Sequence, residues 1–207
     1  MQLSTLALLL GLGIGLPQIW GLVRPGAFGD ALRGFPRSEV WGYPLMLLAT
    51  GWFVWNLKQE NISDFAAWKP LMLVGFGAVG ILTCVFVRDF LPVRGLAILL
   101  LLLAKVTLDI QRWADTDWKN VVTVLAYVWV VTGVVLTVSP WWLRDWILWA
   151  TANETRVRVG CGVRLAFALG LIVLGLTVYR AEERGKDRNR ATAAWAPERT
   201  GTGGHYG

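Results

Sequence analysis

The chain has 207 residues, of which 55% are hydrophobic and only 16% charged, and its mean hydropathy is +0.50. That is too apolar for a soluble globule, where about a quarter of residues are charged, and far too apolar for a disordered chain. The net charge of +6 does not point to nucleic acid, because the cations fall between apolar runs and in the C-terminal tail rather than along one soluble surface.

Crossing the hydrocarbon core takes about 20 apolar residues. Six runs reach or approach that length: Leu3 to Val23, Val40 to Leu57, Leu71 to Val87, Leu91 to Ile110, Val121 to Val138 and Val159 to Tyr179. This patterning predicts an all-α polytopic membrane bundle of about six transmembrane helices over residues 1–180, with one or two interfacial amphipathic helices. Residues 181–207 read as a disordered, charged and Gly-rich tail. The first run has no cationic n-region and carries Pro17-Gln18 where a cleavage site would need small residues, so it reads as a span rather than a signal peptide. Gly11, Gly13 and Gly15 ahead of Pro17 predict a flexible or kinked stretch.

Two connections share a pattern. Pro25, Phe28, Asp30 and Leu32 follow the first run; Pro140, Leu143, Asp145 and Ile147 follow the fifth. With six spans both lie at the same membrane surface, and a parallel repeat of the span–surface helix–span type is one reading. Ser139 as N-cap and Pro140 at the first helical position predict a new helix over 141–152. Trp142, Trp146 and Trp149, with Leu143 and Ile147, fall on one side of it, and Arg144 and Asp145 on the other. That is the pattern of a helix lying in the interface, with the tryptophans as anchors. Eight of the thirteen tryptophans (Trp20, Trp41, Trp55, Trp68, Trp113, Trp118, Trp141 and Trp142) lie near the ends of apolar runs, as an aromatic belt requires.

In the third run, Gly75-Phe-Gly77-Ala-Val-Gly80 matches the dinucleotide pattern G-x-G-x-x-G. It sits inside an apolar helix and not between strand and helix, so it reads as close helix packing. Arg88-Asp89-Phe90 then makes a tight turn, with Pro92 in the first turn of the next helix. Within the fourth run, Lys105 and Asp109 are four residues apart on one face. Charges in a span suggest function by default, so this pair is a candidate ion or proton site, against the plainer reading of a snorkelling lysine bound to its neighbour. Arg164 in the sixth run is open to the same two readings. Gly162, Ala166 and Gly170 form a small-xxx-small series, a candidate helix-packing face within the chain or towards a partner.

Asp115-Thr-Asp117 could hold a divalent cation with a phosphate substrate, but no second acidic cluster accompanies it. Glu60 and Asp64 in the 57–70 loop fit no motif. Cys84 and Cys161 read as packing residues, and His205 lies in the tail. No catalytic residue, metal site or cofactor is expected. Asn61-Ile-Ser63 and Asn153-Glu-Thr155 match the glycosylation triplet on opposite sides, so they cannot both be used. Orientation rests on eleven Lys/Arg on the N-terminal side against nine on the other, which places both termini in the cytoplasm.

The chain resembles uncharacterised multi-pass inner-membrane proteins of bacteria, most clearly over Asp89-Phe-Leu-Pro-Val-Arg-Gly-Leu-Ala97, Ala104-Lys105, Arg112-Trp113 and Ser139-Pro140-Trp141 through Arg164. The paired connections look like those of small two-span inner-membrane proteins. The resemblance implies a bacterial cytoplasmic membrane and supplies no activity. The expectation is a non-enzymatic accessory or scaffold subunit, whose partners are membrane lipids and other membrane subunits or a second copy. The alternative is a small solute or ion transporter using Lys105 and Asp109.

Overall fold

Residues 3–60, 63–87, 89–112 and 119–181, with 184, 185 and 188, are described by a computed structural model. Among them all regular structure is helical: α1 (Leu3–Val23), α2 (Pro25–Gly34), α3 (Glu39–Gln59), α4 (Lys69–Phe86), α5 (Leu91–Gln111), α6 (Lys119–Val138), α7 (Trp141–Ala150) and α8 (Glu154–Leu174). Gly175–Tyr179 extends α8 with a wider π-type turn. Each of the six apolar runs falls on one long helix. Five of these, α1, α4, α5, α6 and α8, are long and apolar enough to cross a membrane. α3 matches α1 in length at 21 residues, but Trp41, Tyr43, Pro44, Trp52, Trp55 and Asn56 hold its hydropathy below the others.

α1 packs along α8, α5 packs between α6 and α3, and α4 closes on α3. One buried cluster joins the two groups: Leu3, Leu6, Ala7 and Leu10 of α1 meet Val122 of α6, Leu171 of α8 and Tyr179. Glycine sets two close helix–helix approaches. A Cβ on Gly95 would stand 2.9 Å from backbone atoms of Leu45 and Met46, and one on Gly11 would stand 2.6 Å from Ile172 Cγ1. Gly11 and Gly15 are thus contact points of α1 on α8, and α1 runs unbroken through Pro17. An apolar partner thus fills the space at these two glycines, while Gly13 faces open space. In the third run only Gly80 packs, against Thr50; Gly75 and Gly77 face open space.

The turn before α5 is tighter than the sequence suggested. Phe90 adopts φ 57°, ψ 26°, which is uncommon for a bulky residue. Its carbonyl takes the Val93 and Arg94 N–H groups, and its ring packs on Val93, Ala97 and Leu136. That packing offsets the backbone cost. Arg88 lies outside the described residues.

α2 and α7 are both ten residues long; α2 begins at Pro25 and α7 directly after Pro140. Because long helices joined by short turns alternate in direction, both lie at the end where α1 and α6 finish. α7 stops at Ala150 rather than 152. Ser139 makes no side-chain cap; its carbonyl receives the Trp142 N–H at 3.1 Å. The tail from Glu182 lies outside the described residues apart from positions 184, 185 and 188.

Candidate functional site

At the opposite end of the bundle the fold assembles an ion cluster. Lys105 Nζ lies 2.9 Å from Asp109 Oδ2 and 2.8 Å from Glu60 Oε1. Lys69 Nζ donates to the Glu60 carbonyl at 2.8 Å. The Lys105–Asp109 contact follows from i,i+4 spacing on α5. Glu60 could not be read from sequence, since only the packing of α3 on α5 brings the end of α3 beside Lys105. The three charged side chains are half-exposed. Lys105 also borders a cavity of about 290 Å³ between α3, α4 and α5, whose other lining is apolar (Met46, Phe53, Phe76, Ile98 and Leu101 among it) apart from Thr50. The hydroxyl of Thr50 is already bonded to the Met46 carbonyl at 2.8 Å. The cluster therefore satisfies its own cation, and among the described residues the cavity beside it is apolar apart from Thr50 and Lys105 itself. Arg112 is exposed and stands outside it. Among the described residues no group of three His, Cys, Asp or Glu could hold a metal ion. Asp115, Asp117 and the tryptophans beside them lie outside the described residues, as do Asn61 and His205.

The other end carries the larger cleft. α7 lays Ile147 inward, buried, while Leu143 packs partly against Val93, Ala97 and Leu136. The tryptophans flank this packed face and do not share it: Trp142 and Trp149 are 63% exposed and Trp146 49%. α2 meets α7 through Arg33, whose Nε donates to Thr151 Oγ1 at 2.9 Å and whose Nη2 donates to the Thr151 carbonyl. Phe28 of α2 packs on Val157 and Cys161 of α8. These contacts leave a cavity of about 460 Å³ between α2, α7 and α8. A neighbouring one of about 300 Å³ reaches Pro17, Gln18 and Leu96. The two share Phe28, Leu32, Trp146, Ala150, Thr151 and Arg164.

Both arginines of the cleft stack on α7. Arg164 Cζ lies 4.9 Å from the Trp146 ring centroid, and Arg156 Cζ 5.3 Å from that of Trp149. Gln18, on α1, is buried, and its Oε1 has no hydrogen-bond partner. Trp146 and Trp149 were read from sequence as interfacial anchors; their contact with arginines on another helix was not legible there.

Among the described residues nothing packs against Gly162 or Gly170. Positions beside Gly162 and Gly170 are open, and Ala166 and Gly170 are exposed. The face of α8 used internally is instead that of Ala168, Leu171 and Gly175, which meets α1. The close approach there is supplied by Gly11 and Gly15 of α1. No protein-family model, curated protein or solved structure matches the chain.

Proposed function

We propose that this chain is a six-span integral protein of a bacterial cytoplasmic membrane, with α3 as the sixth span and both termini in the cytoplasm. In this reading it acts as a non-enzymatic scaffold or accessory subunit through helix packing and lipid contacts. One observation carries the membrane reading: the long helices turn large apolar side chains outward, among them Leu16, Val74, Val131 and Val163, each more than 60% exposed, over far more surface than water tolerates. The hydroxyls on these helices fit it too. Thr83, Thr132 and Thr177 each donate to the carbonyl four residues earlier, at 2.7 Å, as groups facing hydrocarbon must. The neutralised state of Lys105 and the apolar cavity beside it favour a scaffold over a transporter built on Lys105 and Asp109.

α2 and α7 then lie in the interface, with the Trp142–Trp146–Trp149 stripe against headgroups. Thiol labelling from one side of intact vesicles tests the topology. Arg37→Cys and Lys58→Cys should react from opposite sides, Arg144→Cys from the same side as Arg37→Cys, and Trp146→Cys should be shielded. Same-side labelling of the first two excludes α3 as a span.

The open face at Gly162, Ala166 and Gly170 is where a neighbouring subunit or second copy would seat. The double variant Gly162→Leu, Gly170→Leu should reduce the size of the complex isolated in mild detergent while leaving the monomer folded. An unchanged complex means this face takes no part in assembly.

A further inference from the structure

We propose that the cleft between α1, α2, α7 and α8 is a binding site for one anionic phospholipid, its phosphate held by Arg164 and a headgroup hydroxyl donated to Gln18. The proposal rests on the membrane reading above and adds to it a ligand.

Arg164 is the starting point. It lies five residues, or about 7.5 Å, inside the apolar run that begins at Val159. Among the described residues its guanidinium has neither an ion pair nor a hydrogen bond; it lies over the ring of Trp146 at 4.9 Å, with the Cys161 thiol one turn away on its own helix. A charge at this depth is costly, and stacking on an aromatic ring offsets only part of that cost. The planar fork of N–H donors left free matches a phosphate in two-point fashion. Lys105 offers the contrast: it is just as charged but already held by Glu60 and Asp109.

Gln18 is the second, independent observation. It is 9% exposed, and its Oε1 is buried without a partner. It lines the same cavity as Arg164. Counted back from Val23, it sits five residues deep, level with Arg164 on the neighbouring helix. Buried polar atoms in native structures are ordinarily satisfied; an acceptor here calls for a donor beside the phosphate, such as a glycerol hydroxyl.

Charge and shape fit the same ligand. The two joined cavities are lined by Arg156 and Arg164 and by no carboxylate. The rest of the lining is largely apolar, with Phe28, Leu32, Val157 and Val163 positioned to take acyl chain. A cavity of about 460 Å³ is within the range of small-ligand sites. Arg156, nearer the helix start and stacked on Trp149, sits at the mouth.

The test uses the full chain, delipidated in detergent and titrated with dioleoyl phosphatidylglycerol, dioleoyl phosphatidylcholine or inorganic phosphate, with bound lipid counted by native mass spectrometry. The expected result is one phosphatidylglycerol per chain, retained at concentrations at least tenfold lower than phosphatidylcholine and not displaced by millimolar phosphate. Arg164→Gln should bring phosphatidylglycerol down to the phosphatidylcholine level. Arg164→Lys should recover part of the difference, and Arg158→Gln, outside the cleft, none should be lost. Gln18→Leu should abolish the preference for phosphatidylglycerol over phosphatidylmethanol, which has the phosphate but no headgroup hydroxyl. If Arg164→Gln does not migrate as a folded monomer, Arg156→Gln and Gln18→Leu carry the test, each with at least a threefold weakening. Equal retention of the two lipids by the wild type, full retention by the variants, or displacement by inorganic phosphate would overturn the proposal. Carbonate extraction separates the two levels: a chain released from membranes sinks the membrane reading, whereas an embedded chain indifferent to lipid charge sinks only the site.

Discussion

Gly95→Ala is expected to lower the apparent melting temperature in detergent by roughly 4–10 °C, the equivalent of about 1–3 kcal/mol of overpacking. One methyl group suffices because of what it meets. A Cβ at Gly95 would lie 2.9 Å from the Leu45 carbonyl carbon and the Met46 nitrogen, and 3.1 Å from Leu45 Cβ. The first two belong to the backbone of α3 and the third is fixed directly to it, so none can rotate aside. Relief requires α3 to move off α5, which loosens the contact of Met46 with Cys84 and Leu91. Gly95→Leu extends the same clash and should prevent accumulation of the folded chain. Gly75→Ala and Gly77→Ala are the controls. Both positions are open, both are helical, and alanine there should be neutral or mildly stabilising. If Gly95→Ala melts with these controls, α3 and α5 do not approach as closely as described.

The contrast among these glycines shows where sequence reading stops. All sit in apolar helical runs, and nothing local separates Gly95 and Gly11 from Gly75 and Gly170. Only the partner helix decides, and partners are a property of the fold. The apolar runs themselves were legible, since their length and hydropathy are local; the bounds of α1 and the end of α6 match the residues at which hydropathy falls. The separate helix after Pro140 was legible too, because proline removes an N–H whatever surrounds it. α3 was the harder element. Its length matches a span, but its tryptophans, tyrosine and asparagine dilute the signal, so its role depends on α4 and α5 beside it. At the candidate sites the sequence offered residues one helix at a time. Lys105 and Asp109 were paired by spacing, whereas Glu60, 45 positions before Lys105, joined them through tertiary packing. In sequence Arg164 is a lone cation inside an apolar run, and Gln18 a lone amide beside Pro17. Their shared cavity exists because α1 lies on α8, a neighbour relation with no trace in either helix alone.

That same dependence on distant partners governs the contact between α2 and α7. Arg33→Ala is expected to lower the melting temperature by roughly 3–10 °C, since hydrogen bonds from a charged group contribute about 1.5–3 kcal/mol when partly shielded. Arg33 and Thr151 are 118 residues apart, and the guanidinium bonds both the hydroxyl and the carbonyl of Thr151. Thr151 is 4% exposed, and its hydroxyl also donates to the Ile147 carbonyl at 2.7 Å. The Asp30 carboxylate, 3.6 Å from Arg33 Nη1, is too exposed to hold the side chain alone. Arg33→Lys should recover little, because a single ammonium cannot reproduce two donors at fixed angles. Thr151→Val should cost less than Arg33→Ala, as the carbonyl contact survives it. The double variant should be no worse than Arg33→Ala by more than the loss of the bond to Ile147. Hydrogen exchange gives the spatial signature: amides of α7 and the first turns of α8 should exchange faster in Arg33→Ala while those of α4, which packs on α3, stay unchanged. Uniform acceleration through all helices would mean that Arg33 supports the whole fold rather than tying the two ten-residue helices together over the cleft.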